Sequence, residues 1–191
     1  MTIASRTRRT NRCLSREEVL RGFAAYDEMV ATLLALRERD DIYRHIQLPK
    51  LPDAFSVSVV RLLIEAGSLL PEVQPVSQVV QGDKPDIRIT AADGRRLKVE
   101  VKGTAQQGYQ RLSEHDRTAD YLIWLSLASG ISKTVDLYVA ADPDLRCWPK
   151  ANIRLREFVS QLQPLRLGVN LADLQLAPRL QNLSSSGSEE Q

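Results

Sequence analysis

Apolar residues recur at helical spacing in two segments near the start of the chain. The first follows a Ser15–Glu18 capping box and fades near residue 40. The second covers residues 53–66 and is followed by Gly67, a residue type that commonly ends helices. The pattern therefore predicts two amphipathic helices before any strand.

The spacing then changes to the two-residue alternation that is typical of β-strands. Asp93-Gly94 separates two alternating segments and is a strong signal for a hairpin turn. The predicted strands are 76–81, 86–90, 97–102, 121–127 and 134–140, and the predicted later helices are 105–118 and 152–162. Helices at both ends of a group of strands indicate an α/β fold, with a mixed central sheet flanked by helices.

The length of 191 residues fits one domain, and 43% hydrophobic residues are enough to build a core. The first residues are rich in arginine (Arg6, Arg8, Arg9 and Arg12), whereas the last are rich in serine and glutamate. We therefore expect a basic flexible arm at 1–14, a single domain at 15–183 and a disordered tail at 184–191. Because the net charge is only +2, binding of nucleic acid would require positive side chains to be concentrated on one part of the surface.

Cysteine usage and hydropathy restrict the class of protein further. Cys13 and Cys147 are the two cysteines, and they form no Cys-x-x-Cys pair, which argues against a thiolate zinc site. This usage indicates a reducing, cytoplasmic location. No apolar run approaches the roughly 18 residues that a membrane span needs, so we expect no membrane partner.

The predicted hairpin brings charged residues to one face of the sheet. Because alternate side chains on a strand share a face, Ile87 and Val99 can point into the core together. Asp86, Glu100 and Lys102 then lie side by side on the opposite, polar face. Two carboxylates beside an ammonium group are suited to phosphodiester hydrolysis.

A divalent cation is the cofactor that this set predicts. Mg²⁺ prefers hard oxygen ligands and usually takes one or two carboxylates, with water and substrate phosphate completing the shell. Asp86 and Glu100 supply the carboxylates, and the Val101 carbonyl is a candidate third ligand. Mn²⁺ can substitute for Mg²⁺, and zinc is not required. Lys102 would orient or help to deprotonate the attacking water.

Pro85-Asp86 together with Glu100-Val101-Lys102 resembles the motif of the PD-(D/E)xK nuclease superfamily, which has the restriction-endonuclease-like fold. The similarity extends over roughly residues 53–140 and is greatest to type II restriction endonucleases. It implies a metal-dependent endonuclease that cuts double-stranded DNA, as a homodimer or with a heteromeric partner.

The resemblance also implies supporting residues around the motif. A glutamate from the preceding helix often assists the metal in this family; Glu65 is the first candidate here, and Glu72 is the alternative. The residues expected to contact DNA are Lys84, Arg88, Lys98, Gln107, Arg111 and Arg117. Gln107 and Tyr109 depart from the Gln-x-x-x-Tyr spacing of the exonuclease branch, which argues against that branch.

Other interpretations of the same residues stay open. Within the same chemistry, the protein could be the cleavage subunit of a heteromeric nuclease, a junction resolvase or a repair nicking enzyme. A non-catalytic DNA-binding or assembly subunit could have the same fold. The charged face could also be an ordinary solvated sheet surface of an unrelated α/β protein, with simple cross-strand pairs.

Overall fold

The computed structural model of the protein describes residues 13–39, 41–45, 53–82, 86–104, 109–127, 134–145 and 148–177. The helices are α1 (Arg16–Arg39), α2 (Asp53–Glu65), α3 (Glu114–Arg117) and α4 (Leu155–Leu162), with 3₁₀ turns at Asp41–His45 and Pro71–Val73. The strands are β1 (Val76–Gln81), β2 (Ile87–Ala91), β3 (Arg96–Thr104), β4 (Tyr109–Arg111), β5 (Tyr121–Ser126), β6 (Thr134–Ala141), β7 (Asn152–Arg154), β8 (Leu165–Asn170) and β9 (Gln175–Ala177).

The start of α1 and the end of α2 lie where local chemistry predicts them. The Ser15 amide donates to the Glu18 carboxylate at 2.8 Å, and the Glu18 amide donates to the Ser15 hydroxyl at 3.2 Å, which confirms the capping box. Helix α2 ends at Glu65, and the φ of 69° at Gly67 turns the following chain so that the Ser68 amide donates to the Leu63 carbonyl. The two helices pack together through the stacked rings of Phe23 and Phe55.

Seven strands form one mixed sheet in the order β1-β2-β3-β5-β6-β8-β9. Strands β3 and β5 are parallel, and each other neighbouring pair in this sheet is antiparallel. The expected α/β class with a mixed central sheet is confirmed. The described strands β8 and β9 were not predicted from the sequence.

Side chains on the two faces of the sheet enter separate cores. Ile87, Val99 and Ile123 belong to the larger core, which also contains buried side chains of α1 and α2, such as Phe23 and Phe55. Leu122 and Trp124 alternate with that set, and therefore enter a second core beneath α4. Because β5 is buried on both faces, it forms a continuous apolar run.

The prediction of one polar helix over 105–118 is wrong. Residues 105–108 lie outside the described part of the chain, β4 is a strand, and only the four residues of α3 are helical. Strand β4 pairs with β7, so the first residues of the predicted 152–162 helix are also strand. Pairing between distant segments supplies backbone hydrogen bonds that the local polar pattern does not indicate.

Candidate functional site

The β2–β3 hairpin places Asp86 beside the middle of β3. Ile87 is opposite Val99 in the register, so Asp86, one residue before β2, lies next to Glu100. The Val101 amide donates to the Asp86 carboxylate at 2.9 Å. This hydrogen bond fixes one Asp86 oxygen at the end of the antiparallel ladder.

Glu100 is a buried carboxyl group in the middle of β3. Its residue is 5% exposed, and its Oε1 atom has no hydrogen-bond partner in the described part of the protein. Burial, followed by the nearby charges of Asp86 and Asp116, raises the Glu100 pKa to about 8. Burial also raises the pKa of Asp86. Two adjacent carboxyl groups in this buried place favour a bound proton or a bound cation.

Lys102 extends from the same strand and is held by a carboxylate from α3. Its Nζ atom lies 2.6 Å from Asp116 Oδ1, with the two side chains 14% and 0% exposed. The other Asp116 oxygen accepts the Ser113 amide at 2.5 Å, and the Ser113 hydroxyl accepts the Asp116 amide at 3.3 Å. A capping box therefore fixes the carboxylate that pairs with Lys102.

The motif side chains share a cleft of about 210 Å³. The lining residues are Asp53, Val57, Asp86, Glu100, Val101, Lys102, Gly103, Gln110, Ser113 and His115. The motif residues Asp86, Glu100 and Lys102 are thus brought together, as the hairpin pattern predicted. The Gln110 side chain donates to the Gly103 carbonyl at 2.8 Å, which ties β4 to the end of β3.

Gly103 is required by the approach of α2 to the sheet. A Cβ atom at this position would lie 2.1 Å from the Ser56 hydroxyl oxygen and 3.0 Å from the Ser56 Cβ. The absence of a side chain therefore lets α2 pack closely against β3. This packing brings Asp53, the first residue of α2, to the rim of the cleft.

The structure does not bring Glu65 to this cleft, which corrects its predicted position beside Asp86. Its carboxylate accepts two hydrogen bonds from Arg61, at 2.6 and 2.7 Å, and lines a different cavity. Glu65 is the last residue of α2, whereas Asp53 at the opposite end lines the cleft. The helix runs in the direction that brings its first residue, rather than its last, to the motif.

The alternative candidate, Glu72, also lies elsewhere. Its carboxylate accepts a hydrogen bond from the Tyr121 phenol, and burial, followed by this bond, raises the Tyr121 pKa to about 12. Tyr121 belongs to the larger core, on the opposite face of the sheet from Lys102. Glu72 is not among the residues that line the cleft.

Exposed cations continue along the sheet from the cleft. Arg88 and Lys98 are opposite each other on β2 and β3, two residues from Asp86 and Glu100, and therefore about 7 Å further along the strands. Arg96 stands two residues further on, and all three are exposed. The Lys98 amide also donates to the Asp120 carboxylate at 2.6 Å, so that an acidic group borders this surface.

The other residues expected to contact DNA have different surroundings. Arg111 is exposed on β4. Arg117 donates to the carbonyls of Leu145, Trp148 and Lys150 at 2.8–3.0 Å, which ties α3 to the segment before β7. Lys84 and Gln107 lie outside the described residues.

Four residues of the site are missed by sequence reasoning: Asp53, Gln110 and Ser113, which line the cleft, and Asp116, which pairs with Lys102. The polar character of segment 113–117, which includes His115, is typical of a solvated helix end. The Ser-x-x-Asp spacing of Ser113 and Asp116 is a capping-box signal that could have located the start of α3. The burial of Asp116 against Lys102 depends on tertiary packing.

The donor set is compatible with a single hard cation. Across the described ranges, no group of three or more His, Cys, Asp and Glu side chains could hold a metal ion. Asp86 and Glu100 nevertheless provide two adjacent carboxyl groups, and the unpartnered Glu100 Oε1 needs a partner. Because N–H and C=O of a strand residue point to the same side, the Val101 carbonyl is directed toward Asp86.

Comparisons with known proteins leave the family open. No protein-family model, no curated protein and no solved structure matches this chain. Of the helices that the structure describes, none combines the length and the apolar character that crossing a bilayer requires.

Proposed function

We propose that this protein is a Mg²⁺-dependent DNA endonuclease with a PD-(D/E)xK type of site. The observation that carries the proposal is the convergence of Asp86, Glu100 and Lys102 on one cleft, where a buried carboxylate oxygen of Glu100 has no partner. Buried polar atoms without partners are uncommon in folded proteins and often belong to ligand sites.

Asp86, Glu100 and the Val101 carbonyl would hold the cation. Two carboxylates with one carbonyl suit Mg²⁺ or Mn²⁺, which complete their coordination with water and substrate phosphate. When bound, the ion supplies Lewis acidity at the phosphate and lowers the pKa of coordinated water. A positive charge would also offset the burial, and then the repulsion from Asp86 and Asp116, that together raise the Glu100 pKa.

Lys102 supplies the fixed positive charge of the site. An ammonium group has three N–H donors, and the Asp116 ion pair requires only one of them. The others can orient the attacking water or donate to a non-bridging phosphate oxygen. Hydrolysis then forms one phosphorus–oxygen bond to water and breaks the bond to the leaving sugar oxygen, which takes up a proton.

Double-stranded DNA is the proposed substrate, because cations extend from the cleft along β2 and β3. Arg88 and Lys98, with Arg96 beyond them, cover about 14 Å from the Asp86–Glu100 pair. That distance equals the axial rise of about four nucleotides. The arginine-rich arm at 1–14 lies outside the described residues except for its last two positions. We propose that it adds non-specific phosphate contacts.

Within this chemistry, a type II restriction-like endonuclease is the first choice, in the cytoplasm and as a homodimer that cuts both strands. A cleavage subunit of a heteromeric nuclease, a junction resolvase or a repair nicking enzyme would use the same site. These alternatives differ in substrate structure and in partner rather than in the residues of the cleft.

A non-catalytic DNA-binding subunit is the second candidate, and the Lys102–Asp116 ion pair favours it. A lysine held at 2.6 Å by a fully buried aspartate can be a purely structural group. Such a protein would bind DNA through the same exposed cations, but it would not hydrolyse it.

Cleavage of plasmid and phage DNA by the purified full chain tests the proposal. Incubation with Mg²⁺, with Mn²⁺ and with EDTA should give products only in the presence of a metal ion. The matched variants are Asp86→Asn in the cleft and Asp136→Asn, which removes the ion pair between Asp136 on β6 and Arg166 on β8. Loss of cleavage only in Asp86→Asn supports the proposal, whereas DNA binding without cleavage by the wild type favours the non-catalytic subunit.

A further inference from the structure

We infer that Asp116 is a positioning residue for Lys102, which it holds at the cleft in the orientation that DNA hydrolysis needs. This inference rests on the proposed nuclease function. Asp116 belongs to α3, in the crossover between the parallel strands β3 and β5, and it is outside the three-residue motif.

Lysine on its own is poorly suited to a fixed geometry. Its ammonium group is a point charge at the end of a flexible four-carbon chain, and it lacks the planar fork of arginine. Here Lys102 is only 14% exposed, and its Nζ atom lies 2.6 Å from a completely buried carboxylate oxygen. Removal of the charge from water is unfavourable unless it is paired, so the Asp116 pair determines where the ammonium group can rest.

The carboxylate is itself held from a second direction. Asp116 Oδ2 accepts the Ser113 amide at 2.5 Å, while Oδ1 faces Lys102. The Asp116 amide returns a hydrogen bond to the Ser113 hydroxyl. The two Asp116 oxygens thus act separately, since one anchors the start of α3 and the other holds the ammonium group.

Asp116 also affects the charge of the cleft as a whole. Together with Asp86 and Glu100, it makes three carboxyl groups around one lysine in this part of the described structure. Its charge contributes to the raised pKa values of Asp86 and Glu100. Lys102 therefore has several carboxyl groups near it, and its 2.6 Å ion pair is with Asp116. Asp86 and Glu100 consequently stay available for a cation.

The variant Asp116→Asn isolates this role. The amide keeps an oxygen that can accept the Ser113 amide, and it has nearly the same volume, but it has no charge to hold Lys102. Asp136→Asn is the control, because it removes an ion pair of 2.9 Å between Asp136 on β6 and Arg166 on β8, neither of which lines the cleft. The full-length proteins would be compared in two experiments, one with DNA and one without it.

The experiment without DNA is ¹⁵N NMR of the Lys102 ammonium group, with Lys102→Met to assign the signal. A buried, paired ammonium group exchanges its protons slowly enough to be observed. We expect the signal in the wild type and in Asp136→Asn, and its loss in Asp116→Asn. A signal that persists unchanged in Asp116→Asn would overturn the inference, whether or not the protein cuts DNA.

The experiment with DNA is steady-state cleavage with Mg²⁺. Loss of a residue that orients a site group commonly lowers activity about 10–100-fold. We expect a decrease of this size in kcat for Asp116→Asn, with KM within about threefold of the wild-type value, because Asp116 does not itself line the cleft and the exposed cations on β2 and β3 are unchanged. Wild-type kcat in Asp116→Asn would overturn the positioning role. A wild type that does not cut DNA would instead overturn the proposed function, while the NMR result still decides whether Asp116 holds Lys102.

Discussion

Glu100→Gln should change how the stability of the protein depends on pH. In the folded protein, burial and the charges of Asp86 and Asp116 raise the Glu100 pKa from 4.5 to about 8. The folded state therefore holds the proton more tightly than the unfolded chain does. The contribution of Glu100 to the free energy of unfolding is therefore fully present below pH 4.5 and is lost as pH rises toward 8. In this range the folded state binds more protons than the unfolded chain does.

The structure also sets the size of this effect. One pKa unit corresponds to about 1.4 kcal/mol, so the whole shift is worth roughly 5 kcal/mol as an upper limit. Most of this change in stability falls between about pH 5 and pH 8, and over that range we expect the free energy of unfolding to decrease by an amount on the order of 3 kcal/mol. Glutamine cannot ionise, and it also removes a charge near Asp86, so Glu100→Gln should lose much less over the same range.

Urea denaturation at several pH values from about 5 to 8, with EDTA, measures this difference. The control is Glu157→Gln: a hydrogen bond from Lys150 lowers the Glu157 pKa, so its contribution changes below this pH range rather than within it. Addition of Mg²⁺ at the upper end of the range should raise the urea midpoint of the wild type but have little effect on Glu100→Gln. Equal pH slopes for the wild type and Glu100→Gln would refute the argument that ionisation of the buried carboxyl group destabilises the fold.

Three further predictions follow from the cleft and the packing around it. Asp86→Asn and Lys102→Met should each lower Mg²⁺-dependent DNA cleavage at least about 100-fold, while their circular dichroism spectra stay like that of the wild type. Full activity in either variant would show that the substituted residue has no role in catalysis. Cleavage should stop in EDTA and return with Mg²⁺ or Mn²⁺, so recovery with zinc alone would contradict the hard-oxygen ligand set. Gly103→Ala should destabilise the protein by about 1–3 kcal/mol in urea denaturation, since its methyl group would overlap Ser56. Gly22→Ala is the packing control, because its new Cβ atom would meet Phe55 at an ordinary 3.9 Å, and a similar loss there would contradict the overlap.

The local pattern of the sequence was sufficient for the hairpin and its polar face. The alternation around Ile87 and Val99 predicted which side chains enter the core, and the register of β2 and β3 confirms it. Once that alternation is established, Asp86 and Glu100 must be neighbours on the other face. The capping box at Ser15 could be predicted for the same reason, because its donors and acceptors are three residues apart.

Longer-range contacts decided the rest of the site. The polar segment 105–118 has no apolar period to distinguish strand from helix, and the pairing of β4 with β7 determines part of its conformation. The choice between the two ends of α2, Asp53 and Glu65, depends on the direction in which that helix crosses the sheet.

The sequence by itself determined the two N-terminal helices, the β2–β3 hairpin and the shared face of Asp86, Glu100 and Lys102, because helical and strand repeats are properties of neighbouring residues. Only the tertiary structure decided that Asp116 is buried against Lys102. That contact joins a strand to a short helix in the following crossover, and its geometry arises when both faces of the sheet are packed. A periodic pattern indicates which side of a helix or strand is buried, but it does not indicate which distant residue packs against that side.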